Sequence, residues 1–179
     1  APDESIYPSL NFVFYTYLGY PFLIMILARL RPGHNDFKEY VPLVTILIPA
    51  FNEEKYIAEK LDNTLALDYP AGKLQILVAA DGSFDTTPEI VKSYAARGVE
   101  LNYIPDRNGK MAAIVRAMQF SRGEIVVFSD ANNMYDRRTI RELVLPFSDP
   151  KVGATTGAKL IIDDGRDLSA AEGLYWKYE

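Results

Sequence analysis

The sequence predicts an α/β fold: a mostly parallel sheet with helices on both faces. Short β-branched apolar runs alternate with stretches of helical periodicity. The run at 44–48 reads as a continuous apolar strand, as strands covered on both faces do, and 74–80 reads as a second buried strand. The linkers between them are a few residues long, as in strand–helix–strand units.

The 179-residue chain carries no cysteine and a single histidine, His34. This excludes disulfides, Cys-ligated metal centres and thiolate nucleophiles, as well as any site that needs two imidazoles. A net charge of −5 and a pI near 5.0 argue against a nucleic-acid binder, whose footprint would be basic. With 49% hydrophobic and 12% aromatic residues, the chain can bury a substantial core.

Only Asn11, Thr16, Gly19, Pro21 and Arg29 interrupt the apolar run at 10–30, and no charge falls between Phe12 and Ala28. Such a run is long enough to cross a bilayer as a helix, and Gly and Pro are tolerated in membrane helices. No basic region precedes it and no small-residue cleavage site follows it, so a signal peptide fits poorly. A buried or interfacial helix is the plainer alternative. Asp3 and Glu4 precede the run, and Arg29 and Arg31 follow it. The positive-inside tendency then puts the chain in the cell membrane, with its remainder in the cytoplasm. Residues 31–42 form a polar connector broken by Pro32-Gly33, with His34 exposed. The expected division is 1–42, membrane helix and connector, and 43–179, ligand-binding domain. The amphipathic stretch at 174–179 carries no stop signal and reads as a cut.

The elements of the second part follow in order. A strand at 44–48 leads into a helix at 54–67, with Ile57, Leu61 and Leu65 along one stripe. A strand at 74–80 precedes a helix that opens at Thr87-Pro88-Glu89, read as N-cap, N1 proline and acidic first turn, and ends near Gly98. The strand at 99–104 alternates more than the others, as an edge does. A helix at 110–120 carries Met111, Ile114, Val115 and Met118, and a strand follows at 124–128. Asp136 caps a helix that buries Ile140, Leu143, Val144 and Phe147, and residues 152–162 form a fifth extended stretch.

In such sheets ligands bind beyond the carboxyl ends of the strands, so the residues just after each strand carry the chemistry. These are Pro49-Ala50-Phe51-Asn52-Glu53-Glu54, Asp81-Gly82-Ser83-Phe84-Asp85, Asp106-Arg107-Asn108-Gly109-Lys110 and Ser129-Asp130-Ala131-Asn132-Asn133. Together they suit a nucleotide diphosphate with a divalent cation: carboxylates for a base or ribose, lysine for phosphate, Asp130 for metal. Singly, each also reads as a turn, a helix start or a capping loop. Residues 163–167 read as a solvated acidic loop. Competing phosphate sites fail on spacing. No G-x-G-x-x-G follows the first strand, no glycine stands five residues before Gly109 as a Walker loop needs, and position 135 is Tyr where a calcium loop needs Gly.

These strand-end motifs, in order, resemble the membrane-anchored glycosyltransferases of family 2. The resemblance begins with Tyr17-Leu18-Gly19-Tyr20-Pro21 and the Pro-x-x-Asn-Glu motif at Pro49 to Glu53. It continues through Leu67-Asp68-Tyr69-Pro70, Asp81-Gly82-Ser83, Gly109-Lys110 and Phe128-Ser129-Asp130-Ala131-Asn132, to Tyr175-Trp176-Lys177-Tyr178-Glu179. It implies the GT-A fold and transfer of a sugar, with inversion, from a nucleotide-sugar donor, usually a UDP-sugar, to a glycan or lipid-linked acceptor. By the same resemblance Ala50, Asn52 and Glu53 line the nucleoside pocket, Asp81 contacts the base and Lys110 lies near the donor. Asp130, with Asn132, holds Mg²⁺ or Mn²⁺. Two positions depart from the family pattern: Ala80 stands where many relatives have a polar or acidic residue, and the metal motif is Asp-x-Asn. The general base of the family is expected beyond Glu179, so no residue here is assigned that role. A nucleotide-sugar-binding or assembly module without turnover is the alternative reading. A nucleotidyltransferase is disfavoured by the lack of a glycine-rich phosphate loop.

Overall fold

The computed structural model describes residues 12–30 and 37–158, in two compact units, Ala1–Asp36 and Phe37–Glu179. The expectations for His34, residues 163–167 and the terminal 174–179 lie outside the described residues.

The first unit contributes one helix, α1 (Phe12–Leu30). Pro21 has no N–H, and its ring excludes the carbonyl four residues back. The helix responds with a π turn over Tyr15–Gly19, closed by the Tyr20 N–H on the Tyr15 carbonyl. At 19 residues, α1 is long and apolar enough to cross a membrane.

The second unit alternates strand and helix: β1 (Val44–Ala50), α2 (Ile57–Leu65), β2 (Leu74–Asp81), α3 (Thr87–Ser93), β3 (Val99–Ile104), α4 (Lys110–Met118), β4 (Ile125–Phe128) and α5 (Thr139–Val144). All pairings are parallel, in the order β3-β2-β1-β4. The alternating strand β3 is indeed at an edge. The period of two sorts the side chains of the central strands. Ile46, Ile48, Ile76 and Val78 face Ile57 and Leu61 of α2, Val91 of α3, and Ile140 and Val144 of α5. Leu47, Leu77 and Ala79 face the other way, onto Ala113 and Ala117 of α4. Three helices therefore cover one face of the sheet and one covers the other.

Several boundaries differ from expectation. α2 starts at Ile57 because residues 53–56 form a turn, in which the Tyr56 and Ile57 N–H groups share the Glu53 carbonyl. α3 is entered one residue earlier than the Thr87 cap predicts. Thr86 is the N-cap, and Asp85 Oδ1 accepts the Thr87 N–H at 3.0 Å. Asp136 does not cap α5: Arg138 holds the N-cap position, and Asp136 Oδ1 accepts the Arg138 N–H at 3.0 Å in the turn before the helix. The fifth extended stretch forms no strand over its described part, 152–158. Thr155 Oγ1 instead donates to the Leu143 carbonyl at 2.8 Å, which ties the segment to α5.

Candidate functional site

The strand order runs one way from β1 through β2 to β3, then returns to place β4 on the far side of β1. This reversal is the switch point at which open α/β sheets bind ligands. The gap has a local cause. The Leu47 carbonyl faces β4 and accepts the Ser129 N–H at 3.1 Å. Two residues on, the same edge of β1 is Pro49, which has no N–H to give, and the ladder stops at Leu47–Phe128. A cleft of about 270 Å³ opens there, walled by Pro49 and Ala50 at the end of β1, Glu53 in the loop that follows, Asp81 at the end of β2, Lys110 at the start of α4, and Asp130 and Asn132 after β4.

Of the seven residues to which the family resemblance gives a donor or metal role, Ala50, Glu53, Asp81, Lys110, Asp130 and Asn132 line this cleft and Asn52 does not. Asn52 instead fastens one loop to the next. Its N–H donates to Ser83 Oγ at 3.2 Å, and its Oδ1 accepts the Phe84 N–H at 3.1 Å. Its φ of 54° is the left-handed conformation that Asn tolerates because of such local bonds. The neighbouring backbone is held likewise: Glu53 N–H by Thr87 Oγ1 at 2.8 Å and Glu54 N–H by Asp85 Oδ2 at 3.1 Å. Asp85 thus shapes the rim rather than lining the cleft.

Asp81 is buried, and its carboxylate is largely engaged by the protein. Oδ2 accepts the N–H groups of Asn108 and Gly109 at 2.8 and 2.7 Å, and Oδ1 accepts Arg116 Nη1 at 3.0 Å. Burial pushes its pKa up, but Arg116 and the two N–H groups outweigh burial and hold it below the ordinary 3.8. The tight fit extends to Gly82, whose φ is +67°. A Cβ there would sit 2.6 Å from Arg107 Cβ. Asp81 therefore positions the loop that leads into α4, and one lone-pair direction on Oδ1 remains for a ligand donor.

On the opposite wall, Ser129 and Ala131 are buried and hold Asp130 between them with its side chain half exposed. Lys110 Nζ reaches Asp130 Oδ1 at 2.6 Å, and both groups are open to solvent. An exposed pair of this kind adds little stability, so either partner is free to turn to a ligand. Glu53 has its pKa raised by burial first and then by the charges of Asp130 and Asp85. The cleft therefore gathers negative charge that a cation would relieve. Among the described residues no three His, Cys, Asp or Glu side chains converge. Asp130 and Asn132 line the cleft from one loop, and their carboxylate and amide carbonyl are oxygen donors of the kind that would hold a hard cation such as Mg²⁺ or Mn²⁺. The residues fit such an ion.

Four side chains, Phe51, Phe84, Arg107 and Lys60, receive no specific role from the sequence alone. Arg107 and Phe51 line the cleft, with the guanidinium carbon 3.8 Å from the ring centroid. Phe84 packs edge-on against Phe51, at 6.0 Å and 78°. Both Phe51 and Arg107 lie within strand-end motifs, but nothing local indicates that the two loops stack. Lys60, in α2, is completely buried. Burial pushes its ammonium down to about 8, against the opposing pull of Asp130. It sits on a helix stripe that reads as plain amphipathic, so no local signal marks it.

The parallel sheet with its switch-point cleft has the GT-A type of fold, which it shares with solved glycosyltransferases. The chain belongs to glycosyl transferase family 2, whose model matches residues 45–177. It is 31% identical over 150 residues to a beta-monoglucosyldiacylglycerol synthase of Nostoc sp., a match covering 82% of this chain and 32% of that protein. It is 34% identical over 122 residues to an N-acetylglucosaminyltransferase of Bradyrhizobium diazoefficiens, covering 65% of this chain and 25% of the relative. Among solved structures it resembles the mannosyltransferase PcManGT from Pyrobaculum calidifontis, in complex with GDP-Man and Mn²⁺. The TM-score is 0.67 at 34% identity, over 78% of this chain and 43% of that one. S. aureus TarS 1-349 in complex with UDP-GlcNAc aligns with a TM-score of 0.51 at 26% identity, over 55% of this chain and 29% of that one. The chain spans about a third of the length of the curated relatives it matches first.

Proposed function

We propose that this chain is the donor-binding part of a membrane-anchored, inverting glycosyltransferase that uses a UDP-sugar and a glycan or lipid-linked acceptor. The observation that carries the reading is the cleft at the switch point, which Ala50, Glu53, Asp81, Lys110, Asp130 and Asn132 all line. The nucleotide sugars bound by PcManGT and TarS support the donor class. In this reading Phe51 and Arg107 hold the base, and the open lone-pair direction of Asp81 accepts a base N–H. Asp130 and Asn132 hold Mg²⁺ or Mn²⁺, which supplies neutralisation of the leaving diphosphate. Lys110 leaves Asp130 for a phosphate oxygen, so an exposed ion pair is exchanged for one with the ligand. Deprotonation of the acceptor hydroxyl needs a carboxylate and is assigned to no described residue. The domains in this reading are 1–42 and 43–179. α1 spans the cell membrane, and the donor domain lies on the cytoplasmic side, by the charge asymmetry of its flanks.

The test is thermal unfolding of the chain with UDP and Mn²⁺. At a hundredfold excess over Kd the pair stabilises the fold by about 2.7 kcal/mol, and Asp130→Ala abolishes the gain that depends on Mn²⁺. Greater stabilisation by GDP would replace uridine with guanosine in this reading. No stabilisation by either nucleotide would remove the reading altogether.

A further inference from the structure

The loop that carries Asp130 and Asn132 continues through residues 133–135, and α2 grips it there with two side chains on one face. Lys60 Nζ donates to the Asn133 carbonyl and lies 3.8 Å from the centroid of the Tyr135 ring. Asn63, three residues on and hence on the same face, pairs with the Tyr135 backbone in both directions. Its Nδ2 donates to the Tyr135 carbonyl at 2.9 Å, and its Oδ1 accepts the Tyr135 N–H at 2.8 Å. Within the loop the backbone contributes an Asn133 N–H bond to the Asp130 carbonyl, at 3.3 Å.

A completely buried lysine is costly, and methionine would fill similar space without a charge. The lysine here reaches the backbone one residue past Asn132, and its ammonium is capped by one carbonyl and one aromatic face. We propose that Lys60, together with Asn63, is a positioning residue that fixes the 130–133 backbone so that Asp130 and Asn132 present their oxygens together to a divalent cation. This rests on the reading of the cleft as a nucleotide-diphosphate site. Groups that orient metal ligands from behind typically change metal affinity about 10–100-fold when removed.

The proposal is tested by titrating the full chain with Mn²⁺ in the presence of UDP, followed by the electron paramagnetic resonance of free and bound Mn²⁺. UDP binding without metal is measured in parallel. Lys60→Met and Asn63→Ala should each weaken Mn²⁺ binding about tenfold or more and alter the spectrum of the bound ion. Metal-free UDP affinity should be unchanged, and Lys60→Arg, which keeps the donor, should recover most of the loss. A Lys60 that acted only as a nearby like charge would give the opposite sign, tighter Mn²⁺ binding in Lys60→Met, and that result overturns the proposal. Wild-type Mn²⁺ affinity in the two variants overturns it as well. If Lys60→Met does not fold, Asn63→Ala decides alone. If the wild-type chain binds UDP but shows no Mn²⁺ dependence, the cation reading of the cleft fails with the proposal; a Mn²⁺-dependent wild type whose two variants keep its full Mn²⁺ affinity sinks the proposal alone.

Discussion

Asp81 does more for the fold than its place after a strand foretells. It reads as a ligand group, yet most of its hydrogen-bonding capacity serves Arg116 and the loop at 108–109. Because its folded pKa is depressed, its ionisation contributes stability that is present above the unfolded value near 3.8. That stability is lost as pH falls through the folded value. Asp81→Asn should destabilise the chain at pH 7 by about 3 kcal/mol, since it leaves a mostly buried guanidinium without its counter-charge. The gap from wild type should close as pH drops well below 3.8, as urea unfolding followed by circular dichroism will report. The motif at 81–83 was legible because Asp-Gly-Ser after an apolar strand is a local pattern. The partner Arg116 was not, because it lies 35 residues on, along a helix.

Strand and helix identities were legible from period alone, but what seats the strands was not. β1 and β2 read as buried strands, and the polar Thr45 and Gln75 within them are buried and fully partnered. Gln75 Oε1 accepts the Thr45 hydroxyl at 2.7 Å and the Arg122 N–H at 2.8 Å. Its Nε2 donates to Glu100 and to the Phe120 carbonyl, both at 3.0 Å. This network clamps the turn between α4 and β4 against the sheet, and Gly123 completes the turn by passing close to β1. A Cβ at position 123 would stand 2.4 Å from the Thr45 nitrogen. Gly123→Ala should therefore cost about 3 kcal/mol by overpacking, visible as a lowered urea midpoint with little change in slope. The same substitution at Gly72, where nothing lies within 4 Å, should be nearly silent.

For the molecule as a whole, the chain divides into an apolar helix and an α/β domain. If α1 is a membrane anchor and the domain holds the donor, the two properties should separate. The full chain should sediment with lipid vesicles, while residues 37–179 alone should stay in the supernatant and keep their nucleotide-dependent rise in melting temperature. Retention of the shortened chain on vesicles would move membrane affinity out of α1. Local patterns in the chain specified the alternation of strands and helices, the apolar span and the polar clusters at the strand ends, because each depends on residues only a few positions apart. The order β3-β2-β1-β4, the cleft opened by Pro49, the stacking of Arg107 on Phe51 and the grip of Lys60 and Asn63 on the loop at 130–135 came from folding. Each is a meeting of groups distant in sequence. Which groups meet is set by the register of a parallel sheet and the faces its helices cover, and no short-range pattern in the chain encodes that.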